Sequence, residues 1–159
     1  MSQSTSDIRG VLIQVQGGAA LLPNAVISEV LSYAPPEPVA DAPDWLLGKS
    51  RWRGWDVPMI SFARMAGLAA ETPRLGNKVL VLKAFADDDR LPPYFAMLTQ
   101  GFPRLVTVSR EALSPVDGEG DAELPNAVAA RVMLGEDAAL VPDLDRIQAR
   151  LAEALVPAE

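Results

Sequence analysis

Residues 52–60 read Trp52-Arg53-Gly54-Trp55-Asp56-Val57-Pro58-Met59-Ile60, and the organisation of the chain follows from this stretch. Bulky residues flank Gly54, where a tight turn or bulge would join two strands. On the N-terminal side, Pro43-Asp44-Trp45-Leu46-Leu47-Gly48 predicts one helical turn, with Pro at its first position and Gly at its end. On the C-terminal side, Ser61 is placed to cap a short helix over 62–66 that Gly67 ends, and 69–76 reads as loop.

The same signals recur further out. Ile8 to Val15 is rich in β-branched residues, Gly17-Gly18 interrupts it, and Ala19 to Leu22 resumes it, which predicts a hairpin. Pro23-Asn24 starts a bend, and Val26 to Leu31 reads as a helical turn leading into a strand. The passage Ala34-Pro35-Pro36-Glu37-Pro38 cannot be a helix interior, because each Pro lacks an N–H donor, so it is an extended connector. Val79 to Leu82 is a fully apolar strand that returns through the acidic turn Asp87-Asp88-Asp89 to Tyr94–Leu98. Arg104 to Val108 is another strand, followed by a polar loop over 113–123 with Gly118-Glu119-Gly120-Asp121 at its tip. Val128–Leu134, the turn at Gly135-Glu136-Asp137 and Ala138–Val141 form a third hairpin. Asp143 then caps a helix in which Leu144, Ile147, Leu151 and Leu155 make one apolar stripe. The fold class is all-β with a C-terminal helix, with about nine short strands. Closed barrels would remove the exposed edges of so many of them.

Composition limits the chemistry. The chain has 159 residues, 49% hydrophobic and 22% charged, which suits a globular domain with one sizeable core. It has 0 His and 0 Cys, which removes His-based acid–base catalysis, Cys nucleophiles, disulfides, the usual zinc sites and c-type haem. The formal charge of −7 repels a phosphate backbone over most of the surface. Residues 1–7 are polar and carry no basic segment followed by an apolar one, so no secretory signal is expected and a disordered tail is. No apolar run approaches the roughly 18 residues of a spanning helix, and a soluble cytoplasmic protein is the expectation.

Arg51-Trp52-Arg53-Gly54-Trp55 places two guanidinium groups and two indoles within five residues and, with Trp45, holds all 3 Trp of the chain. Strand alternation sends Arg51, Arg53 and Trp55 to one face and Trp52 to the other, unless Gly54 breaks the parity. Arg and Trp are frequent interface anchors, while the plainer reading has one Trp filling core and the arginines solvated. Glu29 lies in an otherwise apolar run, so its carboxylate either reaches water or finds a cation. An ion pair with Arg53 would satisfy it, and if that pair is buried, losing one partner costs about 3–5 kcal/mol. Consecutive acids at Asp87–Asp89 do not converge on a metal without further ligands, and Asp143-Leu144-Asp145 is better explained by capping than by a calcium loop. No phosphate loop, nucleophile elbow or dinucleotide fingerprint is present, so no cofactor is indicated.

The order Leu21-Leu22-Pro23, Ile27-Ser28-Glu29-Val30, a Pro-rich connector, Pro43, Gly48, Arg53-Gly54 and Val57-Pro58 resembles the CheW-like domain of bacterial chemotaxis scaffolds. The similarity runs from about Ile8 to Leu155, a single domain of two β subdomains. It implies two small five-stranded β-barrels packed around a shared hydrophobic seam. It also implies a non-catalytic adaptor that bridges the cytoplasmic tip of a methyl-accepting chemoreceptor to the regulatory domain of a CheA-like histidine kinase, without nucleic acid or membrane insertion. By position, Glu29 and Arg53 match the family's paired acidic and basic residues. Val30 completes the family's Glu-Val, and Gly48, Gly54, Val57 and Pro58 match the turn and strand beside the receptor-facing groove. Arg51, Trp52 and Trp55 join them as candidate partner-binding residues.

Two departures stand out: Arg51-Trp52 replace smaller or neutral residues, and Leu98-Thr99-Gln100 replaces the family's Val-Asp. Tyr94–Leu98 and Phe102-Pro103-Arg104-Leu105 look closer to the ChpC and PilI type of relative, encoded with type IV pilus systems. The alternative is an OB- or SH3-like barrel that binds nucleic acid or another ligand through Arg51, Trp52, Arg53 and Trp55. An enzyme built on carboxylates is a more distant one.

Overall fold

Eleven strands, two short helical segments and one longer helix form within the residues that the computed structural model describes, which are 7–83, 93–109, 113–115, 128–134 and 137–155. The tail over 1–6, the acidic turn Asp87–Asp89, the loop tip Gly118–Asp121 and the turn residues Gly135-Glu136 lie outside them. The N-terminal hairpin is β1 (Asp7–Val15) and β2 (Gly18–Pro23), so Asp7 opens a strand. A 3-10 turn (Asn24–Val26) leads into β3 (Ile27–Ser32). Then follow β4 (Leu46–Trp52), β5 (Trp55–Ile60), α1 (Phe62–Met65), β6 (Lys78–Lys83), β7 (Tyr94–Thr99) and β8 (Arg104–Ser109). The chain continues through β9 (Leu113–Pro115), β10 (Val128–Leu134), β11 (Asp137–Pro142) and α2 (Leu144–Leu155). Two helix starts form as their sequences predict. Ser61 Oγ accepts from Arg64 N at 3.1 Å, and Asp143 Oδ1 accepts from Arg146 N at 3.0 Å.

These strands make a six-stranded sheet in the order β8-β1-β2-β11-β10-β9 and a five-stranded sheet in the order β3-β6-β7-β5-β4. Among the described residues neither order closes on itself through backbone hydrogen bonds, so the expected barrels are two sheets rather than closed cylinders. The apolar side chains show why both sheets need cover on two sides. Val11, Ile13, Ile60, Leu80, Leu82, Phe95 and Met97 join Phe62, Ile147 and Leu151 in a core shared by the sheets and helices. The alternate residues of the five-stranded sheet, Val57, Met59, Val79, Val81, Ala96 and Leu98, form a second cluster with Trp52. Leu12, Leu21, Val132 and Ala139 do the same on the six-stranded sheet. Each sheet thus has a small core of its own and a face in the common one, which is why Val79 to Leu82 is apolar without alternation.

Two segments differ from expectation. Pro43 opens a turn, with Leu46 N donating to Pro43 O at 3.0 Å, but the helical turn predicted over 43–48 does not form, because Leu46 already pairs with Ile60. Gly48 is inside β4 for a non-local reason. Its φ is 149°, and a Cβ there would lie 2.4 Å from Glu37 O and 2.9 Å from Pro36 Cβ, so only Gly admits the Pro-rich connector at this distance. Glu37 and Lys49 then exchange two backbone hydrogen bonds of 2.8 Å, pinning the connector to β4. In the predicted loop over 113–123, Leu113–Pro115 pairs with β10 and occupies its second edge.

The two sheets meet at a buried acid. Glu71, 0% exposed, lies in the connection between α1 and β6. Its Oε1 accepts from Ser61 Oγ at 2.6 Å, and its Oε2 accepts from Gln16 N at 3.0 Å and Gln100 Nε2 at 2.8 Å. Gln16 is the turn of the first hairpin, Ser61 starts α1 and Gln100 follows β7, so one carboxylate ties three segments of both sheets. Thr99 Oγ1 and Gln100 N both donate to Gln14 O, at 3.0 and 2.8 Å, at the same junction. Removing an acceptor strands buried donors, at about 1–3 kcal/mol for each group left unsatisfied. Glu71→Gln, which replaces one acceptor oxygen by an NH2 group facing donors, is expected to lower unfolding free energy by about 1–3 kcal/mol, and Glu71→Ala by more. Urea denaturation midpoints measure this, and an unchanged midpoint for Glu71→Ala would contradict the role assigned to the acid.

Candidate functional site

The Trp-rich hairpin joins two strands by the tightest turn available. Trp52 pairs with Trp55 across β4 and β5, leaving Arg53 and Gly54 as the two turn residues, at φ 50° and 83°. Positive φ at both positions is the type I′ arrangement, whose twist matches that of the flanking strands. Gly adopts it freely, whereas a left-handed Arg costs on the order of 1–2 kcal/mol. The turn also resets the alternation, so Trp55 lies opposite Trp52 instead of on the face of Arg51 and Arg53. Trp52 is 8% exposed and belongs to the small core, while Trp55 remains 44% exposed at the tip. Arg51 pairs across the strands with Asp56, their side chains 3.3 Å apart and both in water.

Glu29 connects this hairpin to β3. Its Oε1 accepts from Trp52 Nε1 at 2.8 Å and lies 3.4 Å from the Arg53 guanidinium. The Arg53 guanidinium also sits over the Trp52 ring, 4.8 Å from its centroid, and Tyr94 meets that ring edge-on at 4.8 Å and 70°. The expected Glu29–Arg53 pair therefore forms, but at the surface, with side chains 38% and 69% exposed. The larger contribution of Glu29 is to the buried indole N–H, which would otherwise lack an acceptor. β3 and β4 are the two outer strands of the five-stranded sheet, so the sheet curls until its edges come within side-chain reach, and Glu29 latches them.

The other candidates divide by exposure. Val57, 1% exposed, faces the small core, and Gly48 holds the connector against β4, so both shape the site from within. Pro58 is buried on the opposite face, just ahead of Met59 and Ile60, where β7 joins β5, so its missing N–H removes no bond to β7. Val30 pairs with Leu80 and is 38% exposed. Arg51, Arg53, Gly54, Trp55 and Val30 are thus the candidates that present surface, and Trp52, Gly48, Val57 and Pro58 are their support. A stacking platform built on Trp52 has little to offer a base, since its indole is 8% exposed, with Arg53 over the ring and Tyr94 against it. Glu71 escaped sequence reading because nothing in Ala69-Ala70-Glu71-Thr72 marks it as buried. Gln100 acquires a reason: it donates to Glu71, where an acid would place a second carboxylate.

The two contacts of Glu29 are separable. A charge-assisted hydrogen bond is worth about 1.5–3 kcal/mol and an exposed ion pair about 0.2–1 kcal/mol. A double-mutant cycle on unfolding free energy for Glu29→Ala and Trp52→Phe is expected to show coupling in the first range, and a cycle with Arg53→Ala coupling in the second. A reversed order would refute the latch.

Among solved structures, the fold resembles that of the scaffolding protein TtCheW from Thermoanaerobacter tengcongensis. The TM-score is 0.72 over 91% of this chain and 89% of that one, at 10% sequence identity. No curated protein matches the sequence. The model of the CheW-like domain matches residues 9–151, which include β3, the connector, the Trp-rich hairpin and Glu71. The chain belongs to the CheW-like domain family.

Proposed function

We propose that this protein is a non-catalytic cytoplasmic adaptor that couples a methyl-accepting chemoreceptor to a CheA-like histidine kinase, in a signalling system that controls type IV pili and twitching motility. The observation that carries the reading is the latched Trp-rich hairpin within a CheW-like domain. The latch holds a hairpin that carries an exposed Trp55 and two arginines around a two-residue turn, a rigid arrangement of the residue types that most often anchor interfaces. Adaptors work by desolvating such anchors, not by titrating a group near neutral pH, which suits a chain with 0 His and 0 Cys. No helix among the described residues is long and apolar enough to cross a membrane. The pilus assignment rests on the resemblance of Tyr94–Leu98 and Phe102–Leu105 to the ChpC and PilI type.

Pull-down of the protein with the cytoplasmic region of a chemoreceptor, and separately with the kinase's CheW-homologous domain, tests the reading. Retention by at least one is expected. Trp55→Ala is expected to weaken that binding by a factor of ten or more, about 1.4 kcal/mol, while leaving the urea midpoint within experimental error of wild type. Retention by neither overturns the adaptor assignment, even though the fold stands.

A further inference from the structure

The small core of the five-stranded sheet leaves room that its side chains do not fill, partly open to solvent. A cavity of about 140 Å³ lies between the outer strands β3 and β4. Its walls are Leu31, Val57, Met59, Val79, Val81 and Ala96, and the last five are exposed by no more than 2%. Two contacts of β4 flank the lining residues Ser50, Arg51 and Trp52 along the strand. At one end Glu29 bonds Trp52, and at the other the connector is pinned to β4 by Glu37 and Lys49. Ser32, Ala34 and Ser50 are small residues of the lining, and Ala96 on β7 leaves space that a larger side chain would fill.

The chemistry of the lining selects what fits. The indole N–H of Trp52 is committed to Glu29, Ser32 Oγ accepts from Lys78 Nζ at 3.3 Å and the Arg51 guanidinium pairs with Asp56 at 3.3 Å, which leaves the Ser50 hydroxyl as the further polar group of the lining. The interior walls are hydrocarbon and thioether and offer no side-chain hydrogen-bond donor or acceptor stronger than the Met59 sulfur. A charged or strongly polar guest would be desolvated there without compensation. An apolar protein cavity of about 150 Å³ is known to take a benzene molecule, and this one is nearly that size.

We propose that this cavity is a binding site for a small uncharged apolar molecule the size of one aromatic ring. The guest lies between the two edge strands that the Glu29 latch holds together, against the buried Trp52. Binding adds contacts on both sides of the gap and stabilises the curled form of the sheet. The proposal concerns the five-stranded sheet alone and does not depend on the adaptor reading.

Toluene is the probe. At about five times a dissociation constant on the order of 1 mM, linkage predicts a rise in melting temperature of roughly 2–4 °C for a domain of this size. Ala96→Leu fills the cavity from β7 and is expected to abolish the rise. A second measurement covers the case in which that variant folds poorly. In the wild-type protein, toluene is expected to shift the methyl NMR signals of Leu31, Val79, Val81 and Ala96 and the indole N–H signal of Trp52, but not the methyls of Leu12 and Val132 in the other sheet. Absence of both the thermal and the NMR response overturns the proposal. So does a thermal response that survives in folded Ala96→Leu, since the probe would then lie elsewhere. Displacement of toluene by the receptor region or the kinase domain would assign the cavity to a partner's apolar side chain, and would also overturn it.

Discussion

A carboxylate with no exposed surface, accepting from Ser61, Gln16 and Gln100, sets the geometry on which the two halves of this molecule agree. A buried acid is tolerated only when its oxygens are satisfied, and each of the three donors comes from a different part of the chain. Ser61 is doubly used: its hydroxyl oxygen accepts from Arg64 N while its proton goes to Glu71, so the start of α1 and the meeting of the sheets are fixed together. Arg64 extends the arrangement, donating to Glu71 O at 2.8 Å and to Asp44 O at 2.7 Å, and so ties the turn just ahead of β4 to the same place. Misplacing the acid would loosen the turn that leads into β4 as well as the junction.

The site at the other end of β5 depends on this frame. β5 runs from Trp55 to Ile60 and is followed at once by Ser61, so the hairpin tip and the buried acid are the two ends of one strand. Between them the strand contributes Val57 and Met59 to one core and Ile60 to the other. Arg53 is held in a backbone conformation that Gly or Asn would adopt more cheaply, and what Arg brings is its charge beside Glu29 and its plane over Trp52. The turn gives up some stability and in exchange presents a cation at a fixed place.

The parts of this fold legible in the sequence are those whose causes are local. The first hairpin, the Ser61 and Asp143 caps, the Arg53-Gly54 turn and the stripe of α2 are each written in a few adjacent residues, and each forms as read. Gly48 was opaque because its cause is Glu37, eleven positions earlier, which approaches too closely for a side chain. Leu113–Pro115 was opaque because a strand that short is defined by its neighbour β10, not by its own composition. Of the site, the Glu29–Arg53 contact was legible as a charge in an apolar run, reinforced by the family pattern. That Glu29 would chiefly serve the indole of Trp52 was not, since the hydrogen bond spans 23 positions and depends on the curl of a whole sheet. Glu71 left no local trace.

The doubly apolar β6 has a consequence for how the chain finds this structure. Where one face of a strand is polar, a slip of one residue exposes the wrong side chains and is rejected. Val79-Leu80-Val81-Leu82 would look nearly the same to its neighbours after such a slip, because hydrophobic patterning cannot distinguish its two faces. The correct alignment has to be read from the ends: Lys78 and Lys83, which bracket the run, and Asn77, whose carbonyl receives Tyr33 N at 2.9 Å. Fidelity of assembly in this half of the molecule therefore rests on its few polar punctuation marks, and a substitution at one of them would tell in misaligned, aggregation-prone chains before it told in the stability of the finished fold.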